Sequence, residues 1–281
     1  MLRKAPIIAA LLAAVFALPV AAETTHREPK DVHWSFEGPF GRYDQAQLQR
    51  GFRVYREVCS ACHSMNLLSY RNLGDPGGPF WNPAFPNPND NPVVKAIARE
   101  YQIPDIDPDT GDANHRPGTP ADRFLAPFAN DAAARASNNG AVPPDLSVMA
   151  RAREGGAAYI YSILTGYQSP PAGLTVGANQ HYNPYMPGDM GSYWTGRGAA
   201  PEGGFIAMPP PLHGTGQVSN DDGSPSTVTQ AAWDVAAFLQ WSADPHMEER
   251  KQTGLAVIIF LLAFSGLLYA SYRRIWAGVA H

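Results

Sequence analysis

From Gln252 to Tyr272 the chain runs 21 residues without a charge, through Leu255-Ala256-Val257-Ile258-Ile259-Phe260-Leu261-Leu262, between Arg250-Lys251 and Arg273-Arg274. No other feature restricts the fold as much. As a helix the stretch rises about 30 Å, the thickness of a bilayer's hydrocarbon core, and a buried helix would rarely run so long without a polar stripe. A transmembrane helix is therefore expected at 250–272. The basic flanks are symmetric and do not orient it, but the opposite end does. Met1-Leu2-Arg3-Lys4, the apolar run Ile7 to Leu18 and Val20-Ala21-Ala22 read as a signal peptide at 1–22. Twelve apolar residues rise only about 18 Å, too short for an anchor. Export would place 23–249 in the periplasm and 273–281 in the cytoplasm, across a bacterial inner membrane, with Trp276 and Tyr269 or Tyr272 at the interface.

Over the whole chain, the 26 Gly and 27 Pro make it loop-rich, yet 44% apolar residues with six Trp and twelve Phe can build a core. A net charge of −4 and the lack of a basic run exclude a nucleic-acid-binding surface. The expected class is mainly α. Asp44 and Gln47 cap a helix whose face carries Leu48, Phe52, Tyr55 and Cys59. Thr227 and Gln230 open another, with Val228, Ala232, Val235 and Leu239 on one face, ending before Pro245. Gly51 would let Phe238 or Trp241 of the second helix approach the first closely. A third helix is expected from Ala150 to Leu164. The stretches 72–92 and 169–216 read as long irregular loops, which need something to pack around.

Residues 59–63 supply it. Cys59-Ser60-Ala61-Cys62-His63 is C-x-x-C-H, the attachment signature of haem c, and Cys59 and Cys62 are the chain's two cysteines. Two intervening residues let both thiols reach the two vinyl groups of one porphyrin, and the adjacent His can swing beneath the iron. The alternatives are poorer. A thioredoxin-like dithiol would want a βαβ setting, zinc would want two further nearby ligands, and a disulfide closing so short a loop would stabilise little.

The second axial ligand is open among Met65, Met149, Met186, Met190, Met208 and Met247, with His33, His115, His181 and His213. Met65 is too near the attachment turn, Met149 sits at a helix start and Met247 adjoins the membrane. Ile206-Ala207-Met208-Pro209-Pro210-Pro211 suits best, because the prolines fix the backbone after a weakly binding thioether; Met186 and Met190 remain alternatives. Arg151 and Arg153 are donors for haem propionates or, equally, members of an exposed helix face. Asp105 to Asp112 resembles a calcium loop superficially, but Pro108 interrupts it and Arg116 stands where a bidentate Glu is required, so a solvated acidic turn is expected.

Several stretches together resemble the cytochrome c1 family, the membrane-anchored haem subunits of the cytochrome bc1 complex, in its bacterial type. They are Phe36-Glu37-Gly38-Pro39-Phe40, Val58 to His63, Ser69-Tyr70-Arg71-Asn72-Leu73, Asn138 to Ser147 with its Pro143-Pro144-Asp145-Leu146-Ser147 block, Arg151-Ala152-Arg153, Leu164-Thr165-Gly166-Tyr167, Tyr182-Asn183-Pro184-Tyr185, Ile206-Ala207-Met208 and Asp221-Asp222-Gly223. The resemblance implies a c-type cytochrome haem domain with long irregular loops and one carboxy-terminal span. It implies one covalent haem c through Cys59 and Cys62, His63 and Met208 as iron ligands, Arg153 and Tyr159 at the propionates, and Asn138 and Pro144 lining the haem. It further implies electron transfer without substrate chemistry of its own, from a Rieske iron-sulfur protein to soluble cytochrome c, beside cytochrome b in a dimeric complex. Residues 189–205 are an insertion relative to the family's shortest pattern, with no cysteines to stiffen it; Tyr193 and Trp194 are expected to pack it down. The competing readings are an anchored monohaem cytochrome serving a periplasmic dehydrogenase, and a thiol-disulfide enzyme.

Overall fold

The computed structural model describes residues 26–278, so the expected signal peptide lies outside the described residues. Its helices are α1 (Gln45–Glu57), α2 (Pro92–Arg99), α3 (Asp131–Ser137), α4 (Met149–Ala152), α5 (Gly156–Leu164), α6 (Val228–Ala243) and α7 (Met247–Trp276). Two short antiparallel hairpins complete it: β1 (Gln102–Ile106) with β2 (Ala113–Pro117), and β3 (His181–Asn183) with β4 (Gly204–Ile206). The chain is thus mainly helical with long irregular connections, as expected.

The core forms where α1 crosses α6. Asp44 caps α1 by accepting from the Gln47 amide, and Thr227 caps α6 by accepting from the Gln230 amide. Leu48, Phe52 and Tyr55 on α1 and Ala232, Val235 and Leu239 on α6 are buried, which is the apolar face that 3.6-residue spacing predicts. Gly51 sits at the crossing. A Cβ there would lie 2.2 Å from the Asp234 carbonyl oxygen and 2.7 Å from the Phe238 Cβ, so only hydrogen fits. Phe238 stacks against Trp241 and meets Phe52 edge-on, extending the contact as an aromatic column. Arg50 forks onto the buried Asp234 at 3.0 and 3.1 Å and also reaches Asp222, while Arg53 pairs with Asp221. Burial pushes the Asp234 carboxyl up against the pull of Arg50, so the pair needs its good geometry to offset desolvation. Through these arginines the loop before α6 is tied to α1.

The third expected helix is interrupted. It forms as α4 and α5, broken at Arg153–Gly155, because Gly155 and Gly156 take φ of +81° and +52° and Pro29 packs where a Gly155 Cβ would stand. The acidic segment is the turn of the β1–β2 hairpin. The Asp107 carboxylate accepts from the Asp109 and Thr110 amides, and Asp105 pairs with Arg116 on the opposite strand. No group of three His, Cys, Asp or Glu among the described residues could hold a metal ion by itself.

Helix α7 spans 30 residues, about 45 Å, and contains the expected 250–272 segment. Among the described residues it is the helix long and apolar enough to cross a membrane. Its first turn is bolted to the domain: Met247 is buried, Glu248 accepts from the Tyr43 amide, and Asp244 binds both Arg151 and Arg250.

Because nothing can yield at the α1–α6 crossing without moving backbone, Gly51→Ala should lower unfolding stability by about 1–3 kcal/mol, read by denaturant titration of the exported domain's helical signal. Gly140→Ala lies in open space and should cost less, limited to the strain of its positive φ.

Candidate haem-binding site

The end of α1 delivers the thiols. After Glu57 the chain tightens into a 3-10 turn, Cys59–Ala61, in which the Cys62 and His63 amides both bond the Cys59 carbonyl, at 3.1 and 2.9 Å. In a 3-10 turn residues three apart eclipse, so the two thiols project from the same side of one turn. Cys62 is exposed, Cys59 partly so, and no disulfide joins them. Burial pushes the Cys59 thiol up to about 12, the opposite of the depressed value that a thiol-disulfide catalyst needs.

His63 is held by a contact that no local pattern announces. Its Nδ1 lies 2.8 Å from the Pro144 carbonyl oxygen. A carbonyl can only accept, so Nδ1 carries the proton and Nε2 keeps a lone pair aimed away from the carbonyl. Burial favours the neutral ring further, pushing its pKa down. A neutral imidazole with its second nitrogen fixed is the form that binds a metal.

The Pro144 carbonyl is itself placed by a seam between residues 64–67 and 145–147. Asp145 accepts from the Ser64 hydroxyl and the Asn66 amide at 2.8 and 2.7 Å, and from the Ser147 amide at 2.8 Å. Burial works against its charge, but these donors win and hold its carboxyl below the ordinary range. The Ser147 hydroxyl accepts from the Leu67 amide, the Leu146 amide donates to the Ser64 carbonyl, and Ser242 on α6 donates to the Ser147 carbonyl. Asp145, Ser147 and Ser64 are therefore positioning residues that the sequence reading passed over, although Asp145 and Ser147 lie inside the block quoted for the family resemblance.

Met208 follows β4, half-buried, and its carbonyl accepts from the Tyr167 hydroxyl at 3.0 Å. Of its competitors, Met65, Met190 and Met247 are buried in apolar packing and Met149 packs on the core. The Met186 sulfur accepts from the Tyr159 hydroxyl at 3.6 Å. Arg153 stands beside that hydroxyl at the α4–α5 break and favours its ionised form, against burial, which pushes the phenol up. Among the described residues Arg153 pairs with no carboxylate, whereas Arg151 is committed to Asp244 at 2.8 Å. Asn138, half-buried at the end of α3, donates back to the Ala134 carbonyl at 2.8 Å. Pro144 is exposed and enters through its carbonyl.

Residues 189–205 share a second small core with the segment before them: Met190 is buried with Leu174 and Tyr182, and Trp194 and Phe205 pack against it. Tyr193 meets Phe205 edge-on, its carbonyl accepts from the Thr175 amide, and the Trp194 indole donates to the Gly198 carbonyl.

The cytochrome c1 family model matches residues 34–279. The chain belongs to the cytochrome c1 family. It is 43% identical over 264 residues to cytochrome c1 of Rhodospirillum rubrum, covering 88% of this chain and 87% of that protein. It is 38% identical over 292 residues to cytochrome c1 of Blastochloris viridis, covering 96% and 95%. With a cytochrome b/c1 of Bradyrhizobium diazoefficiens it shares 41% identity over 269 residues, 89% of this chain, and it spans 36% of that longer protein. As a member of the cytochrome c1 family it is a haem-containing electron-transfer protein, and the chain's own residues fit that group: two same-sided thiols, and an imidazole with its free nitrogen preset.

If the seam sets the imidazole, Asp145→Ala should cost about 2–3 kcal/mol of stability by stranding the Ser64, Asn66 and Ser147 donors, while Asp109→Ala at the exposed turn costs under about 0.5. Thermal melts of the two variants check this.

Proposed function

We propose that this chain is the haem subunit of a cytochrome bc1 complex, taking electrons from a Rieske iron-sulfur protein and passing them to a soluble cytochrome c, with cytochrome b as its membrane partner in a dimeric assembly. The observation that carries the reading is the His63–Pro144 hydrogen bond, which presets the one ring nitrogen left for iron in a chain of this family. In this reading Cys59 and Cys62 would hold one haem c as thioethers, and His63 and Met208 would ligate its iron. The haem supplies a single reversible electron through its iron. Everything else falls to the protein: the seam at Asp145 and Ser147 fixes His63, and Tyr167 fixes the backbone of Met208. Thioether ligation favours the ferrous form, so Met208 on the iron would give a high, positive midpoint.

Arg153 and Tyr159 would hold the propionates, with Asn138 and Pro144 lining the haem. Arg153 has its charge available there because Asp244 engages Arg151 instead. In this topology 1–22 is removed on export, 23–249 is periplasmic, 250–272 spans the inner membrane and 273–281 is cytoplasmic. The exposed carboxylates of Asp109 and Asp112 give the domain an acidic edge suited to a basic cytochrome c.

A potentiometric titration of the visible spectrum tests the ligands. Met208→Leu should keep a covalent c-type spectrum and lose the high midpoint; an unchanged midpoint would assign the sixth ligand to another residue, Met186 first. Electron transfer from the assembled complex to a basic cytochrome c should slow as salt rises, through screening, and salt-independent second-order rates would remove the acidic docking edge from the account.

A further inference from the structure

Beside the first turns of α7 the chain folds a small closed loop that presents a phenylalanine to the outside. Phe40 is 76% exposed, although its neighbours Trp34, Phe36 and Tyr43 are buried. The loop is not slack. The Arg42 amide donates to the Ser35 carbonyl at 3.0 Å, and the Glu37 amide to the Trp34 carbonyl at 3.2 Å. Gly41 is required, since a Cβ there would lie 2.0 Å from the Glu37 carbonyl oxygen. Lys251, on the second turn of α7, clips the loop from both ends by donating to the Phe36 and Gly41 carbonyls at 2.7 and 3.2 Å. A rigid loop with its aromatic tip held out of the core is fixed in place for a contact outside the chain.

The depth of that tip can be read from α7. Phe40 and Pro39 line one small cavity, about 90 Å³, together with Gln252 and Leu255. The uncharged run begins at Gln252, so Leu255 is its first large apolar residue and Phe40 stands level with the edge of the hydrocarbon. Arg42 lines the same cavity, is exposed, and pairs with no carboxylate among the described residues. Lys251 cannot offer its charge outward, because its ammonium is engaged by the two carbonyls. An aromatic tip at the hydrocarbon edge beside a guanidinium at headgroup height is the composition of a surface that lies in a lipid interface.

We infer that the loop 38–42 is a second membrane contact of this chain: Phe40 enters the lipid interface beside α7, and Arg42 meets lipid phosphates. The anchor is then a helix with a side foot, which limits rocking of the domain about the single span. The inference rests on α7 crossing the membrane, and it commits to lipid rather than to a partner subunit.

The test places p-benzoylphenylalanine at position 40 of the full chain, in its assembled complex in native membranes, with the same group at Leu262 and Leu267 of α7 to report on the span. After irradiation, mass analysis of the isolated chain should find phospholipid adducts at 40, and Arg42→Gln should lower their yield severalfold. Adducts at 262 and 267, with position 40 joined to another polypeptide or to nothing, overturn the inference and leave the span intact. Absence of lipid adducts at all three positions overturns the span and the inference together.

Discussion

One hydrogen bond, from the His63 imidazole to the Pro144 carbonyl, organises this molecule. It joins residues 81 positions apart and fixes a tautomer, and with it the direction in which the ring can bind a metal. A single such bond contributes little net stability, about 1 kcal/mol, so it cannot hold its own partners in place. The structure surrounds it with stronger ones. Asp145 collects three donors from the two segments that must meet, and Ser242 connects that seam to α6. The orientation of one imidazole is thus set by the packing of a whole helix.

The same helix pair supports both sides of the proposed haem pocket. α1 runs straight into the attachment turn, and its distance from α6 is set by the bare backbone at Gly51. From α1, Arg50 reaches Asp234 on α6 and, with Arg53, holds Asp222 and Asp221 of the loop that follows the Met208 prolines. On the other side Lys30 donates to Thr165 at the end of α5, two residues before Tyr167, whose hydroxyl holds the Met208 carbonyl. Aromatic rings of Tyr161 and Tyr185 flank the same ammonium at 5.6 and 5.4 Å. Each proposed ligand is therefore carried by a loop, and each loop is pinned to a helix within a few residues. That arrangement suits electron transfer, where little atomic motion should accompany the change of charge.

Local rules reached the elements whose signals are local. The caps at Asp44 and Thr227, the close crossing at Gly51 and the long apolar helix all follow from spacing and residue size, and C-x-x-C-H gave the thiols and the imidazole. The seam at Asp145 and Ser147 did not, because a contact between residues about 80 apart leaves no periodicity to read. The helix expected over 150–164 failed at Gly155-Gly156, where positive φ and the packing of Pro29 outweigh an otherwise helical pattern. Helix α2 and the β1–β2 hairpin were not foreseen at all. Asn91 and Pro92 do carry a start signal for α2, but the surrounding Pro and Asn read as loop, and the hairpin is nearly all exposed, so no alternation of apolar residues marks it. In the segment 189–205, Trp194 packs on a cluster of Met190 with Leu174 and Tyr182, which only the folded hairpin brings together, while Tyr193 stays 41% exposed.

The central claim is that one turn, Cys59 to His63, carries a covalent haem against a preset imidazole. Intact-mass analysis of the membrane-extracted chain, with peptide mapping across residues 57–71, measures it most directly. The account predicts one haem per chain, joined through both Cys59 and Cys62, and a c-type spectrum that His63→Ala abolishes. A mature chain that carries no haem and titrates as a free dithiol would contradict it.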